Sequence, residues 1–114
     1  MDLVELVNSA RIVELSAKTR PTAIRALAQA TRLDEDGVSL ENLLEAIEER
    51  EATAQTIVGR GFAMPHAIIE WDGGYRVVLG RSRTGVAYGV ADDKRVHLLV
   101  LFVVGRKKRR NFHL

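Results

Sequence analysis

Val58-Gly-Arg-Gly-Phe-Ala-Met-Pro-His-Ala67 is the stretch on which the reading of this chain turns. Before it, apolar residues recur at helical spacing; after Gln55 the period falls from about 3.6 toward 2, the mark of strands. The stretch is a glycine-bearing turn that runs into a short apolar segment and stops at a histidine. Pro65 lacks an N–H and fixes φ, which limits how the chain can present His66. Upstream, Arg50 and Glu51 close a strongly helical pattern, and downstream His113 follows the last apolar run. An imidazole with a guanidinium and a second imidazole as neighbours suits the handling of a phosphoryl group better than metal binding or hydride transfer.

Working back from that stretch, residues 1–9 start a short helix with Leu3, Val4 and Val7 on one face, and Arg11–Leu15 alternates like a short strand. Between Lys18 and Arg32, Ile24, Leu27, Ala28 and Thr31 recur at i, i+3, i+4 and i+7, with Thr19 as N-cap and Pro21 tolerated in the first turn. Leu33-Asp-Glu-Asp-Gly37 ends that helix. Ser39 caps the next one, Val38 staples onto Leu43, and Leu40, Leu43, Leu44 and Ile47 form its buried stripe against a wet face of Glu41, Glu45, Glu48 and Glu49.

Working forward, three β-like segments follow: Gly61 to Glu70, Tyr75 to Arg83, and Val96 to Val104. Trp71-Asp-Gly-Gly74 is a turn of hairpin type, so the first two segments are expected as antiparallel neighbours. Val96 to Val104 is apolar almost throughout, as in a strand covered on both faces. A helical front half and a strand-rich back half predict one domain over residues 1–114. Its class is mixed α/β (α+β), a small mixed β-sheet flanked by helices.

With 114 residues, 46% of them apolar, the chain has material for one core and none for a second catalytic domain. Net charge is +2, yet Arg106-Lys-Lys-Arg-Arg110 outweighs it: without that run, 12 basic residues face 15 acidic ones. A mildly acidic body therefore carries a basic tail. No cysteine is present, so disulfides and thiolate chemistry are excluded, which fits a reducing compartment and a cytoplasmic location. Asp2 and Glu5 stand where a signal peptide would be basic, and the longest apolar run, Leu98 to Val104, is far short of the roughly 20 residues of a membrane helix.

Glu51, Val58-Gly59 and Phe62-Ala63-Met64-Pro65-His66-Ala67, in this spacing, resemble the phosphohistidine signature of the enzyme IIA component of the phosphoenolpyruvate-dependent sugar phosphotransferase system, specifically its fructose, mannitol and nitrogen-regulatory class. Arg50-Glu51 sits as the family's Arg-Glu pair does, and Thr56 falls in its Ser-Thr-Gly stretch. Gly85, the segment Asp92 to Leu99, and His113-Leu114 resemble its later elements. Phe62 is bulkier than the aliphatic residue usual there, and family domains continue past the second histidine with a further helix. A chain without that helix is expected to leave apolar sheet surface uncovered.

The resemblance implies a phosphocarrier. His66 accepts a phosphoryl group from an HPr-like phosphohistidine protein and relays it to a IIB-type acceptor, or reports its charge state to a regulatory target. His113 would stabilise the phosphate and Arg50 its developing charge, with Gly59 and Gly61 permitting a tight backbone near the oxygens. Such an activity is a relay through a phosphohistidine intermediate and needs no cofactor or metal. The three histidines His66, His97 and His113 are too widely spaced, without cysteine or carboxylate partners, to read as a zinc site. His97 opens an apolar strand and is read as structural; Tyr75, Tyr88 and Trp71 are read as packing. Arg106 to Arg110 lacks interleaved aromatics and is read as a solvated loop, with anion or nucleic-acid binding as the alternative it would carry. The other alternative is a partner-binding regulatory module of the same fold without phosphotransfer.

Overall fold

The computed structural model describes residues 10–53, 61–88 and 95–107. Strand β1 (Arg11–Glu14) leads into helix α1 (Arg20–Ala30), a 3₁₀ turn (Leu33–Asp36) and helix α2 (Leu40–Thr53). Strands β2 (Phe62–Ala63), β3 (His66–Glu70), β4 (Tyr75–Ala87) and β5 (Arg95–Arg106) follow. The helix expected over residues 1–9 lies outside the described residues. No helix among the described residues is long and apolar enough to cross a membrane.

The helices form where the periodicity places them. Ile24, Leu27, Ala28 and Thr31 of the first stripe are all buried. Thr19 stands at the N-cap of α1, but its hydroxyl meets the Thr22 hydroxyl at 2.7 Å instead of a backbone N–H, so the expected side-chain cap is not made. Pro21 in the first turn supplies the pre-set φ instead. At α2 the cap is made: Ser39 Oγ accepts the Asn42 N–H at 3.1 Å. Leu43 and Ile47 are buried, while Leu40 and Leu44 pack partly against the same core as Val38.

The five strands form one sheet in the order β1-β4-β5-β2, with β3 also paired to β5. Strand β5 is its axis, antiparallel to β4 and parallel to both β2 and β3. The hairpin reading of Trp71–Gly74 is therefore corrected: β3 and β4 are not neighbours, because β5 lies between them. The physical reason is visible at the turn. Trp71 N–H bonds to Arg106 O at 3.0 Å and Gly105 N–H to Gly74 O at 2.7 Å, so the turn spans the end of β5 instead of closing on itself. The segment Gly61 to Glu70 is also two strands, interrupted at Met64-Pro65, where proline cannot donate to a ladder.

Both helices pack on one face of this sheet. That face carries Leu99, Leu101 and Val103 of β5, Val78 of β4, and Ala67 and Ile69 of β3, all buried in one core with Leu27, Leu43 and Ile47. By strand alternation and register the opposite face carries Leu98, Val100, Phe102 and Val104 of β5, with Val77 and Leu79 of β4, Ile12 of β1 and Ile68 of β3. Apart from Val77 these are only partly buried or exposed, Ile12 at 72% and Ile68 at 47%. Among the described residues no helix covers that face.

Strand β4 breaks register with β5 between Arg81 and Val86, and Gly85 within that break has φ +91°. A side chain there would be strained twice: the backbone region disfavours it, and a Cβ would stand 2.5 Å from Arg95 Cβ, which cannot swing away. Gly85→Ala is accordingly expected to cost about 1–3 kcal/mol of stability, measured by urea denaturation.

Candidate functional site

The site is built where the end of α2 meets the start of β3. His66 opens β3 directly after Pro65, whose carbonyl accepts the Phe102 N–H at 3.0 Å and so ties the turn to the central strand. Arg50 lies in the last turn of α2, where a cation also suits the helix dipole. Its Nε–H donates to His66 Nε2 at 2.8 Å. An N–H can only be accepted by a nitrogen lone pair, so Nε2 is unprotonated and the ring proton resides on Nδ1. Nδ1 faces the Met64 carbonyl in a long 3.5 Å contact. The pair thus presents one tautomer, with the Nε2 lone pair directed at a guanidinium.

Beside Arg50, Glu51 is buried, its side chain 4% exposed. Its Oε1 accepts the Tyr88 hydroxyl at 2.5 Å and lies 3.3 Å from Arg20 Nη2. Arg20 also holds Glu48 at 2.9 Å and sets its guanidinium 5.5 Å from the Tyr88 ring centre. Burial first, and then the hydrogen bond to Glu51, push the Tyr88 hydroxyl well above the usual phenol range. The sign follows: the folded state keeps this proton where the unfolded chain, titrating near about 10, releases it. Tyr88 therefore stabilises the fold fully below about pH 10 and progressively less above it. Replacing it by Phe is expected to flatten the alkaline fall of the melting temperature between about pH 9 and 11.

Of the residues singled out in the sequence, Arg50 and His66 are brought together, while His113, Thr56 and Gly59 lie outside the described residues. Gly61 has φ +71°, and its carbonyl accepts both the His97 and Leu98 N–H groups at 2.8 and 3.0 Å, so its conformation serves the entry of β2 onto β5. His97 has the structural role read for it: Nδ1–H donates to Ser82 O at 2.9 Å. Arg106 ends β5, and both it and Lys107 are exposed; the remainder of the basic run is outside the described residues. Tyr88, read as packing, is also a donor to a buried carboxylate. The Glu48/Glu51 pair at i, i+3 was the available signal, since two carboxylates on one helix face invite a cation.

An open concavity of about 730 Å³, lined by Asp36, Glu70, Trp71 and Arg76 among others, lies toward the other end of β3. Its arginine is already committed, to Asp36 at 2.7 Å, to the Thr31 carbonyl, and to the Trp71 ring. His66 is not among the residues that line it.

The fold and site are those of an α/β domain: an open mixed sheet backed on one face by two helices, with a histidine at the start of an edge strand held by an arginine. Residues 6–114 match the family described as phosphoenolpyruvate-dependent sugar phosphotransferase system, EIIA 2, and the chain belongs to that family. It is 36% identical over 75 residues to the fructose-specific EIIA component of Haloferax volcanii, covering 66% of this chain and 46% of that protein. It is likewise 36% identical over 70 residues to the fructose-specific EIIABC component of Bacillus subtilis, covering 61% of this chain and 11% of that protein. This chain thus spans less than half of either relative.

Among solved structures it is similar to the nitrogen regulatory protein IIA-Ntr of Neisseria meningitidis, with a TM-score of 0.73 at 21% identity over 87% of this chain and 67% of that one. It is also similar to IIA mannitol of Escherichia coli, with a TM-score of 0.66 at 25% identity over 88% of this chain and 71% of that one.

Proposed function

We propose that this domain is a phosphoryl carrier in which His66 Nε2 accepts the group from an HPr-like phosphohistidine protein and passes it to a IIB-type acceptor or a regulatory target. The observation that carries the reading is the 2.8 Å hydrogen bond from Arg50 Nε–H to His66 Nε2. It selects the tautomer whose lone pair is on Nε2 and sets a guanidinium beside that nitrogen, which supports a charge-stabilising role for Arg50. In the step itself that lone pair attacks the donor's phosphorus. The new phosphorus–nitrogen bond forms as the donor's breaks, and its electron pair returns to the donor imidazole. No proton has to change hands, because His66 retains its Nδ1–H against the Met64 carbonyl. Arg50 gives up Nε2 and turns its N–H donors to the transferred group. The two ends of the relay are thus near-equivalent phosphohistidines, and the protein's task is position and charge.

The test is intact-mass measurement at neutral to alkaline pH after incubation with phosphoenolpyruvate, enzyme I and HPr or its nitrogen-pathway counterpart. One added phosphoryl group that is lost in acid supports the carrier reading. A folded protein that takes no adduct from either donor rejects it in favour of a partner-binding module.

A further inference from the structure

The loop and helix ends around Glu51 raise a question that the His66–Arg50 pair alone does not answer, namely what holds Arg50 in place. It is an exposed side chain on the last turn of a helix, the part that frays most readily. Yet Glu51, the residue beside it in the chain, is the one buried charged residue among the described residues. Glu51 takes a hydroxyl from Tyr88, the residue just past β4, and a guanidinium from Arg20, the first residue of α1. Arg20 reaches one turn back along α2 as well, with Nη1 and Nη2 both on the Glu48 carboxylate, at 3.3 and 2.9 Å. The start of α1 is itself tied to the end of β4, since Ala87 N–H bonds to Lys18 O at 2.9 Å and Thr19 bridges Ala87. Two elements, the start of α1 and the end of β4, therefore converge on one turn of α2 and fix both its axial position and its rotation.

From this juxtaposition we infer that Arg20, Glu51 and Tyr88 are positioning residues for Arg50, locking the last turn of α2 so that the guanidinium meets His66 Nε2; the inference rests on the carrier reading for its functional consequence. Rotation of that turn by a fraction of a residue would carry Arg50 away from a hydrogen bond of 2.8 Å, while leaving the core stripe of Leu43 and Ile47 in place. The anchor is a buried carboxylate that accepts from the Tyr88 hydroxyl and the Arg20 guanidinium, a stiffer hold than surface ion pairs provide. The hydroxyl of Tyr88 stays protonated through the physiological range, so the hold does not vary with pH there.

Tyr88→Phe deletes one oxygen from the network and keeps the ring against Arg20. It is expected to lower the rate at which His66 accepts a phosphoryl group by roughly fivefold to tenfold at unchanged KM for the donor, as small misplacements of a charge-stabilising group do. In the unphosphorylated protein, ¹⁵N shifts of His66 should move from the Nδ1–H form toward a mixture of tautomers. Arg20→Lys, which keeps the charge and loses the fork, carries the same two readouts should Tyr88→Phe fail to fold. Arg76→Met breaks an ion pair at the other end of β3, and it is expected to lower the melting temperature without moving the His66 shifts.

A folded Tyr88→Phe with the wild-type tautomer and rate overturns the inference, and so does an equal disturbance of His66 by Arg76→Met. If the wild-type protein takes no phosphoryl group but Tyr88→Phe still shifts the tautomer, the positioning role stands and the carrier reading falls.

Discussion

His66→Ala is expected to abolish the acid-labile phosphoryl adduct completely while the protein stays folded. The completeness follows from the carrier reading, in which His66 is the acceptor, and from placement: among the described residues the one other histidine, His97, stands near the start of β5, five residues from Phe102, the register partner of His66. The retained fold follows from position. His66 is only half-buried, at the start of an edge strand, and its described side-chain partners are Arg50 and the Met64 carbonyl, so truncation removes no core packing. The neighbours that matter to stability, Ala67 and Ile69, point to the helices and are untouched. Substitutions of this kind, away from core and caps, typically move stability by less than about 0.5 kcal/mol. Intact mass and thermal melting on the same sample separate the two claims: loss of adduct with an unchanged melting curve is the expected pair of results, and a persistent adduct would show that another group is the acceptor.

Much of the helical half was legible because burial on one stripe leaves a periodic trace. Ile24, Leu27, Ala28 and Thr31 were read from spacing and are buried, and Ser39 caps as its position before an apolar run requires. Strand existence was equally readable from alternation in Arg11–Glu14 and from the apolar run of β5. Strand order was not. A Gly-Gly turn is compatible with a closed hairpin and with a wider turn across an intervening strand, and local sequence does not distinguish them; the choice is made by β5, which pairs with both flanks at once. The same strand was read as covered on both faces because its residues are apolar on both. The described helices cover one face, carrying Leu99, Leu101 and Val103, and the relatives of known structure extend beyond the part matched here.

At the site, the resemblance named the signature residues, but their geometry could not be read from it. That Arg50 would reach His66 depends on α2 ending beside the start of β3, which is a property of how helices sit on the sheet. Glu51 was quoted only as part of the pattern. Its burial against Tyr88 and Arg20 joins residues 31 and 37 positions apart in the chain, and no periodicity connects them. Long-range polar contacts of this kind leave no trace in a single sequence beyond the residue types themselves.

Arg50 allows the charge and the shape of a guanidinium to be separated. Arg50→Ala removes both, and it is expected to slow phosphoryl acceptance on His66 by about 10²–10³-fold, the usual consequence of deleting one donor aimed at developing negative charge. Arg50→Lys keeps a positive charge of similar reach but replaces a planar fork of N–H donors with a compact ammonium. In the resting protein one of those donors, Nε–H, is on His66 Nε2. Once Nε2 carries phosphorus it can no longer accept, and the guanidinium must regroup on the phosphoryl oxygens, a task for which adjacent coplanar donors are suited and a single ammonium is not. Lysine should therefore recover part of the rate, leaving it roughly tenfold below wild type, and should shorten the lifetime of the phosphorylated form toward onward transfer less than alanine does. Single-turnover kinetics with a fixed amount of phosphorylated donor measures both quantities. If lysine restores the full rate, the arginine acts only as a charge; if lysine is no better than alanine, its geometry is what the site requires.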